Sequence, residues 1–439
     1  MRRTTLAHRS RTTSGYASSV LGLVLAVGGV YVSQTMVSMI AMQSLPTLLR
    51  EAGVPLELLG MSAVFMVPWV LKVLWAPAIE RLRLPAGDPR RRSKAIILCG
   101  QGLLAAVFAG LAFLHWGASL EGFLSVDVFL ALMATAVLAA SVDVASDGMV
   151  VDHLDAKTRP LGNAAQVGGA YIGLLLGTSL FLVICARWGL SAALLCTSAL
   201  LVLLSGPLVA FREQRRSLAE ADHRPSLGFA LRRQEVWVGI MAITCLEAGV
   251  RTATVMVGPL LIDRGASLEL IGWMFGGFTV VAGLAGTVAG ALFVRWLGAW
   301  KAVFLAYGMQ ALVLSALALA AEADFRLLTV LVGLKFMLMA CGLLTSYSAL
   351  MGLSSPKQAG VDFTVFQCAN ALISLVGGVL GGWLAGIWGY GACFAVAAAF
   401  AGMSTLGVAA RVHALGYWHG WRAEPSARSP DLDLRREEI

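Results

Sequence analysis

The chain has 439 residues, 58% of them hydrophobic and only 13% charged, about half the charge density of a soluble domain. Those few charges cluster between long apolar runs, so lipid must be the solvent for most of the chain, and a soluble globular protein is excluded. The net charge of +8 carries no nucleic-acid role, because no basic domain stands apart from the apolar segments.

Residues 1–17 form a polar segment with Arg2, Arg3, Arg9 and Arg11, expected to stay in the cytoplasm. The apolar run from about Ser19 to Ala41 is longer than the core of a signal peptide and ends in no small-residue cleavage site, so it reads as an uncleaved first helix. Twelve apolar segments follow one another at roughly 18–42, 57–79, 95–115, 127–150, 163–186, 189–211, 236–262, 270–294, 300–320, 327–351, 361–386 and 390–411. Each is close to the ~20 residues that a helix needs to cross a bilayer, and open strands could not satisfy their backbones there. With the N-terminus inside, the inner segments hold 26 Lys and Arg and the outer loops 4. That bias predicts both termini in the cytoplasm of a multi-pass inner-membrane protein.

The basic stretch 212–235 divides the segments into bundles at 18–211 and 236–411, and the tail 412–439 reads as disordered. The halves repeat. Gly53-Val-Pro-Leu-Glu-Leu-Leu-Gly60 and Gly265-Ala-Ser-Leu-Glu-Leu-Ile-Gly272 share five of eight positions, and Trp188-Gly189 and Trp388-Gly389 both join the last two helices of their halves. Parallel six-helix repeats around a polar linker are the plan of the major facilitator fold, an all-α membrane protein of two pseudo-symmetric bundles. The seven cysteines form no CxxC pattern and no His cluster is present, so neither a metal site nor a cofactor is expected. The glycine runs 162–177 and 377–386 lack the strand and the Gly-Lys-Ser/Thr of a phosphate loop and read as close helix packing.

Charges within the segments are the most informative positions, because an ionised group at the bilayer centre costs several kcal/mol and normally faces a cavity or a partner. Glu247 and Arg251 lie four apart near the middle of the seventh segment and are placed to pair, while Lys335 lies in the tenth. One cation is then left to meet an anionic substrate; the structural alternative is an ion pair plus a snorkelling lysine. In the fourth segment, Asp143 and Asp147 are one turn apart and Asp152 follows at the cytoplasmic end, with Lys72 of the second segment at the depth of Asp143. Asp143, Asp147 and Lys72 are candidates for proton coupling or a charge network, with Asp147 and Asp152 read rather as a lock on the cytoplasmic gate. The neutral groups Gln34, Gln166, Tyr171, Tyr347, Gln367 and Asn370 complete the candidate substrate-binding set, each with the alternative of bonding only between helices.

Three segments carry a resemblance: Leu45-Pro46 through Leu49-Arg50-Glu51-Ala52-Gly53-Val54, then Pro68-Trp-Val-Leu-Lys72-Val-Leu-Trp75-Ala76-Pro77, then Asp143-Val-Ala-Ser-Asp147-Gly148 with Asp152, Arg159, Gly162-Asn163 and Gln166. They resemble the branch of the major facilitator superfamily that holds muropeptide permeases, acetyl-CoA transporters and siderophore permeases of the rhizobactin/pyochelin type. The resemblance implies a cavity lined by helices 1, 4, 7 and 10. Ala76-Pro-Ala-Ile-Glu80-Arg81 with Arg90-Arg-Arg92 is similar to the superfamily's gating motif, with Glu80 in place of Asp, and implies a gate of Glu80, Arg81, Asp152 and Arg159. Pro160 stands where the branch commonly has Gly. The compact length is most similar to the siderophore permeases. That implies proton-coupled import of a ferric or iron-free chelate from the periplasm, linked to an outer-membrane receptor. A muropeptide is the alternative substrate, and a membrane-embedded enzyme or sensor is the alternative class.

Overall fold

The computed structural model describes residues 4–45, 47–48, 64–114, 126–216, 223–266 and 274–416. The first helix, α1, runs Thr4–Met39 and ends in a π-helical turn at Ile40–Ser44. It starts well before residue 18, because the first segment contains no proline and a nucleated helix extends at little cost. The second crossing, α2, is broken, where the sequence suggested one helix over 57–79. It consists of Val67–Leu71, a 3-10 turn at Lys72–Leu74, and Ala76–Arg83. Pro77 explains the break: its ring has no N–H to give and clashes with the carbonyl four residues back, so the chain tightens and restarts after Trp75. Residues 57–63 lie outside the described part, as do the repeated segments 53–60 and 267–272.

The helices α3 (Ser93–Leu114), α4 (Val126–His153) and α6 (Leu190–Ala210) are uninterrupted, whereas α5 (Arg159–Leu175, then Phe181–Trp188) contains a π turn at Leu176–Leu180. A short helix, Leu227–Arg232, lies within the linker and is capped by Ser226, whose hydroxyl accepts from the Phe229 N–H at 3.1 Å. The second half contains α7 (Gln234–Asp263), α8 (Thr279–Leu297, after a π turn at Met274–Phe278), α9 (Ala299–Leu319) and α10 (Phe325–Leu353). The final stretch, Ala359–Ala414, turns at Gly389, so it is two crossings, α11 (359–388) and α12 (390–414). Gly189, Gly298 and Gly389 have φ of 86°, 82° and 79°, a region that lets a helix reverse in one residue and that only glycine enters freely. Ten helices are long and apolar enough to cross a membrane. Counting the kinked one twice and adding α2 makes twelve crossings among the described residues.

Close packing repeats between the halves. A Cβ on Gly173 or Gly177 of α5 would meet the backbone of α1 at Val32 or Met36, and one on Gly381 of α11 would meet the Thr252 carbonyl of α7. In membranes such small-residue contacts do what hydrophobic burial does in water. Gly286 of α8 is tighter still, pressed on the Met337 carbonyl of α10. We expect Gly286→Leu to prevent these helices from seating, so that size-exclusion chromatography in detergent gives aggregate in place of a monodisperse peak; a wild-type profile would show that the contact is dispensable.

The buried clusters define the shape. One cluster lies wholly within the first half (Met36, Leu104, Phe108, Phe181, Leu194) and one wholly within the second (Leu260, Leu314, Leu328, Phe394), both at the end remote from the linker. At the linker end a single cluster joins both halves through Leu23, Ile97, Met149, Leu246, Leu350 and Phe363. The halves are therefore fused on the linker face and hold separate cores on the opposite one.

Candidate functional site

A cavity of about 380 Å³ lies between the halves near mid-depth. Helical spacing aims its lining side chains. Tyr31, Gln34 and Ser38 fall on one face of α1, Met66, Trp69 and Lys72 on one face of α2, and Gln367, Asn370 and Ser374 on one face of α11. Asp143, Gln166, Arg251 and Tyr347 complete the wall from α4, α5, α7 and α10.

Lys72 is buried and donates to the Asp143 carboxylate and to the Gln367 carbonyl, so one ammonium spans the first half and the second. With its nitrogen facing Asp143, the Gln34 amide donates to Oδ1 at 2.8 Å. Across the cavity, Arg251 Nε donates to Glu247 Oε2 at 2.6 Å, and Nη2 reaches Asn370 Oδ1 at 3.4 Å. Tyr307 donates to the other Glu247 oxygen and accepts from Ser346 at 3.1 Å. Glu247 is thus held from two sides and sets the guanidinium, whose side chain remains 20% exposed toward the cavity. The first-half wall is a neutral ion pair among amides, and the second-half wall offers an oriented cation.

The structure gathers Arg251, Gln34, Gln166, Tyr347, Gln367, Asn370, Lys72 and Asp143 around this space, and leaves four other expected residues outside its wall. Glu247 lies behind Arg251. The Tyr171 ring covers Gly283 of α8 and packs there, where the sequence suggested substrate contact. Lys335, expected as the spare cation, is 1% exposed. It donates to Thr254 Oγ1 at 2.6 Å and stands 4.4 Å from the centre of the Phe336 ring. It is displaced because the α10 wall residues are Leu343 and Tyr347, and eight residues of helix separate Lys335 from Leu343 by about 12 Å. Asp147, expected in a gate lock, lies in the core of its half, where its Oδ1 accepts from Tyr31 at 2.7 Å and from Gln166 at 2.9 Å.

On the linker face the charged residues form a latch. Arg83, 0% exposed, donates to both Glu80 oxygens and to Asp152, and Arg91 lies 3.3 Å from the same Asp152. Glu80 Oε1 accepts from the Gly360 N–H at 3.1 Å, so α2 holds the start of α11. Arg81 donates to the Pro225 carbonyl of the linker at 2.9 Å. The Arg159 guanidinium lies against Gly352 of α10, and no ion pair joins it among the described residues. Gln358 exchanges hydrogen bonds with Ser226 of the linker and donates to Asp362 at 2.8 Å, and Arg233 pairs with Asp362. Sequence reasoning missed Arg83, Gln358, Asp362 and Arg233. Arg83 had a signal, since it stands three residues after Glu80 on the same helical face. Tyr31 had one too, three residues before Gln34 on the same face of the helix. Among the tryptophans, Trp69 faces the cavity. Trp75 donates to Ser141 at 3.0 Å and Trp237 lies 55% exposed on the outside. Trp273 falls outside the described residues.

Residues 27–345 match the Major Facilitator Superfamily. The chain belongs to that superfamily. Major facilitator membership makes it a multi-pass secondary transporter for small molecules and not an enzyme. An anhydromuropeptide permease of Escherichia coli K12 is 24% identical over 367 residues, covering 81% of this chain and 73% of the relative. Among solved structures, the E. coli fucose:proton symporter superposes with a TM-score of 0.64 at 14% identity, over 90% of this chain and 99% of that one. The human organic anion transporter MFSD10 gives 0.62 at 17% identity, with the same coverage. At such identities these likenesses establish the major facilitator fold alone.

Proposed function

We propose that this transporter imports an anionic cell-wall fragment, a muropeptide, across the bacterial inner membrane together with protons. The observation that carries the reading is the division of the cavity wall. Arg251, oriented by Glu247 and Asn370, is a fixed cation for a peptide carboxylate. Opposite it, Gln34, Gln166 and the Trp69 ring suit the amides, hydroxyls and apolar faces of N-acetylated sugars and peptide bonds. The relative of E. coli named as an anhydromuropeptide permease supports the same substrate class. Sequence reasoning favoured a siderophore on the compactness of the chain, but length says nothing of cargo, and the relative favours the muropeptide. A wall fragment arises in the periplasm and needs no outer-membrane receptor.

The distribution of Lys and Arg puts the linker face in the cytoplasm with both termini. The fused linker face is then the closed cytoplasmic gate of an outward-facing state. Proteoliposomes with an imposed inside-alkaline gradient should accumulate labelled anhydromuropeptide and leave a ferric siderophore outside. Accumulation of the siderophore with exclusion of the muropeptide would reverse the assignment.

A further inference from the structure

The linker-side part of helix α4 carries three aspartates in succession, Asp143, Asp147 and Asp152, and the structure treats the middle one differently. At the cavity Asp143 pairs with Lys72, and at the linker face Asp152 pairs with Arg83 and Arg91. Between them Asp147 is 0% exposed and has no ion pair among the described residues. Its Oδ1 accepts from the Tyr31 hydroxyl and the Gln166 amide, but Oδ2 has no hydrogen-bond partner. The other end of that amide, Gln166 Oε1, is also buried without a donor. Two acceptor atoms therefore lie buried together with no donor within hydrogen-bond distance of either, and the Gln367 side chain is the further polar group facing Asp147.

A buried ionised carboxylate is tolerated only when it is paired and fully hydrogen-bonded. One added proton removes the charge and turns an orphan acceptor into a donor. The titratable groups facing Asp147 are Tyr31 from α1, Lys72 from α2, Asp143 from its own helix and Tyr347 from α10. Lys72 is already engaged by Asp143 and Gln367. Tyr31 lines the cavity as well as bonding Asp147, so its hydroxyl connects the carboxyl with the transport path.

We infer that Asp147 is the residue that binds and releases the coupled proton, with Asp143 serving as the fixed counter-ion of Lys72. In the state seen here Asp147 holds the proton as a neutral acid. Deprotonation leaves an uncompensated charge within α4, one residue from Gly148, on which the Arg83 guanidinium of the latch is seated at 2.7 Å from a would-be Cβ. Charge at Asp147 and closure of the linker face thus act on the same turn of one helix. The inference rests on the transport reading above for its cargo, but not for the protonation itself.

Two measurements on the full-length protein separate these. Infrared difference spectra over a pH titration, with no substrate, should show the C=O stretch of a protonated carboxyl that vanishes in Asp147→Asn and persists in Asp143→Asn. In proteoliposomes with the membrane potential clamped, a one-unit pH gradient should drive about tenfold accumulation of labelled anhydromuropeptide by wild type if one proton accompanies each substrate. Asp147→Asn should lose that accumulation while still exchanging internal for external label. A carboxyl band that survives in Asp147→Asn, or gradient-driven accumulation by that variant, overturns the inference. Wild type that leaves the muropeptide outside overturns the substrate assignment instead, and the infrared result stands on its own.

Discussion

Uptake by Arg251→Ala is expected to fall to background. The substitution removes the only cation that the second half presents to the cavity among the described residues. It also strands Glu247, a carboxylate 1% exposed that would keep only Tyr307. Breaking a buried pair from one side typically costs about 3–5 kcal/mol, so lost transport could reflect lost protein. The paired variant Arg251→Gln with Glu247→Gln removes both charges at once and should restore membrane abundance, because no lone ion remains. If abundance returns and uptake of labelled muropeptide does not, the guanidinium is needed for the substrate. Recovery of both would reduce Arg251 to the counter-ion of Glu247.

Arg83→Ala is expected to be as severe, for a different reason. One guanidinium serves both oxygens of Glu80, Asp152 and the Ser93 hydroxyl, all beneath the surface. Its loss leaves Glu80 with the Gly360 N–H and Asp152 with Arg91 at 3.3 Å, a deficit again of about 3–5 kcal/mol. Because these groups seal α2 and α4 against α11, the deficit falls on the closed state of the linker face. Spin labels at Leu82 and Lys357, on opposite sides of that seal, should show a longer distance distribution in Arg83→Ala than in wild type. Arg83→Lys should recover little, since an ammonium cannot reproduce the planar fork. An unchanged distribution would mean that apolar packing alone keeps this face shut.

The twelve crossings were legible because lipid imposes length and apolarity on each, and the Trp-Gly joins marked two of the reversals. The broken α2 was less so, although Pro77 lies inside the segment that read as continuous. Two pairs among the intramembrane charges were legible: Glu247 with Arg251 from their spacing of four, and Lys72 with Asp143 from their matched depth in different segments. Depth, however, is one coordinate of three. Lys335 and Tyr171 stand at plausible heights but point into α7 and α8 contacts, and the angle at which a helix is turned depends on its neighbours. The latch residues were hidden for a related reason. Arg83 and Arg233 lie at helix ends, where basic residues are abundant and most serve only to set topology. Their burial depends on the two halves meeting, which no local pattern records.

The segment joining the two bundles is held at adjacent residues from both sides: Arg81 of the first half grips Pro225, and Gln358 of the second grips Ser226. A slack tether would leave the halves free to swing. Here, parting them on this side means peeling a strip of backbone off one bundle or the other. The cost of opening this side therefore falls partly on a stretch of chain that lies outside the cavity wall.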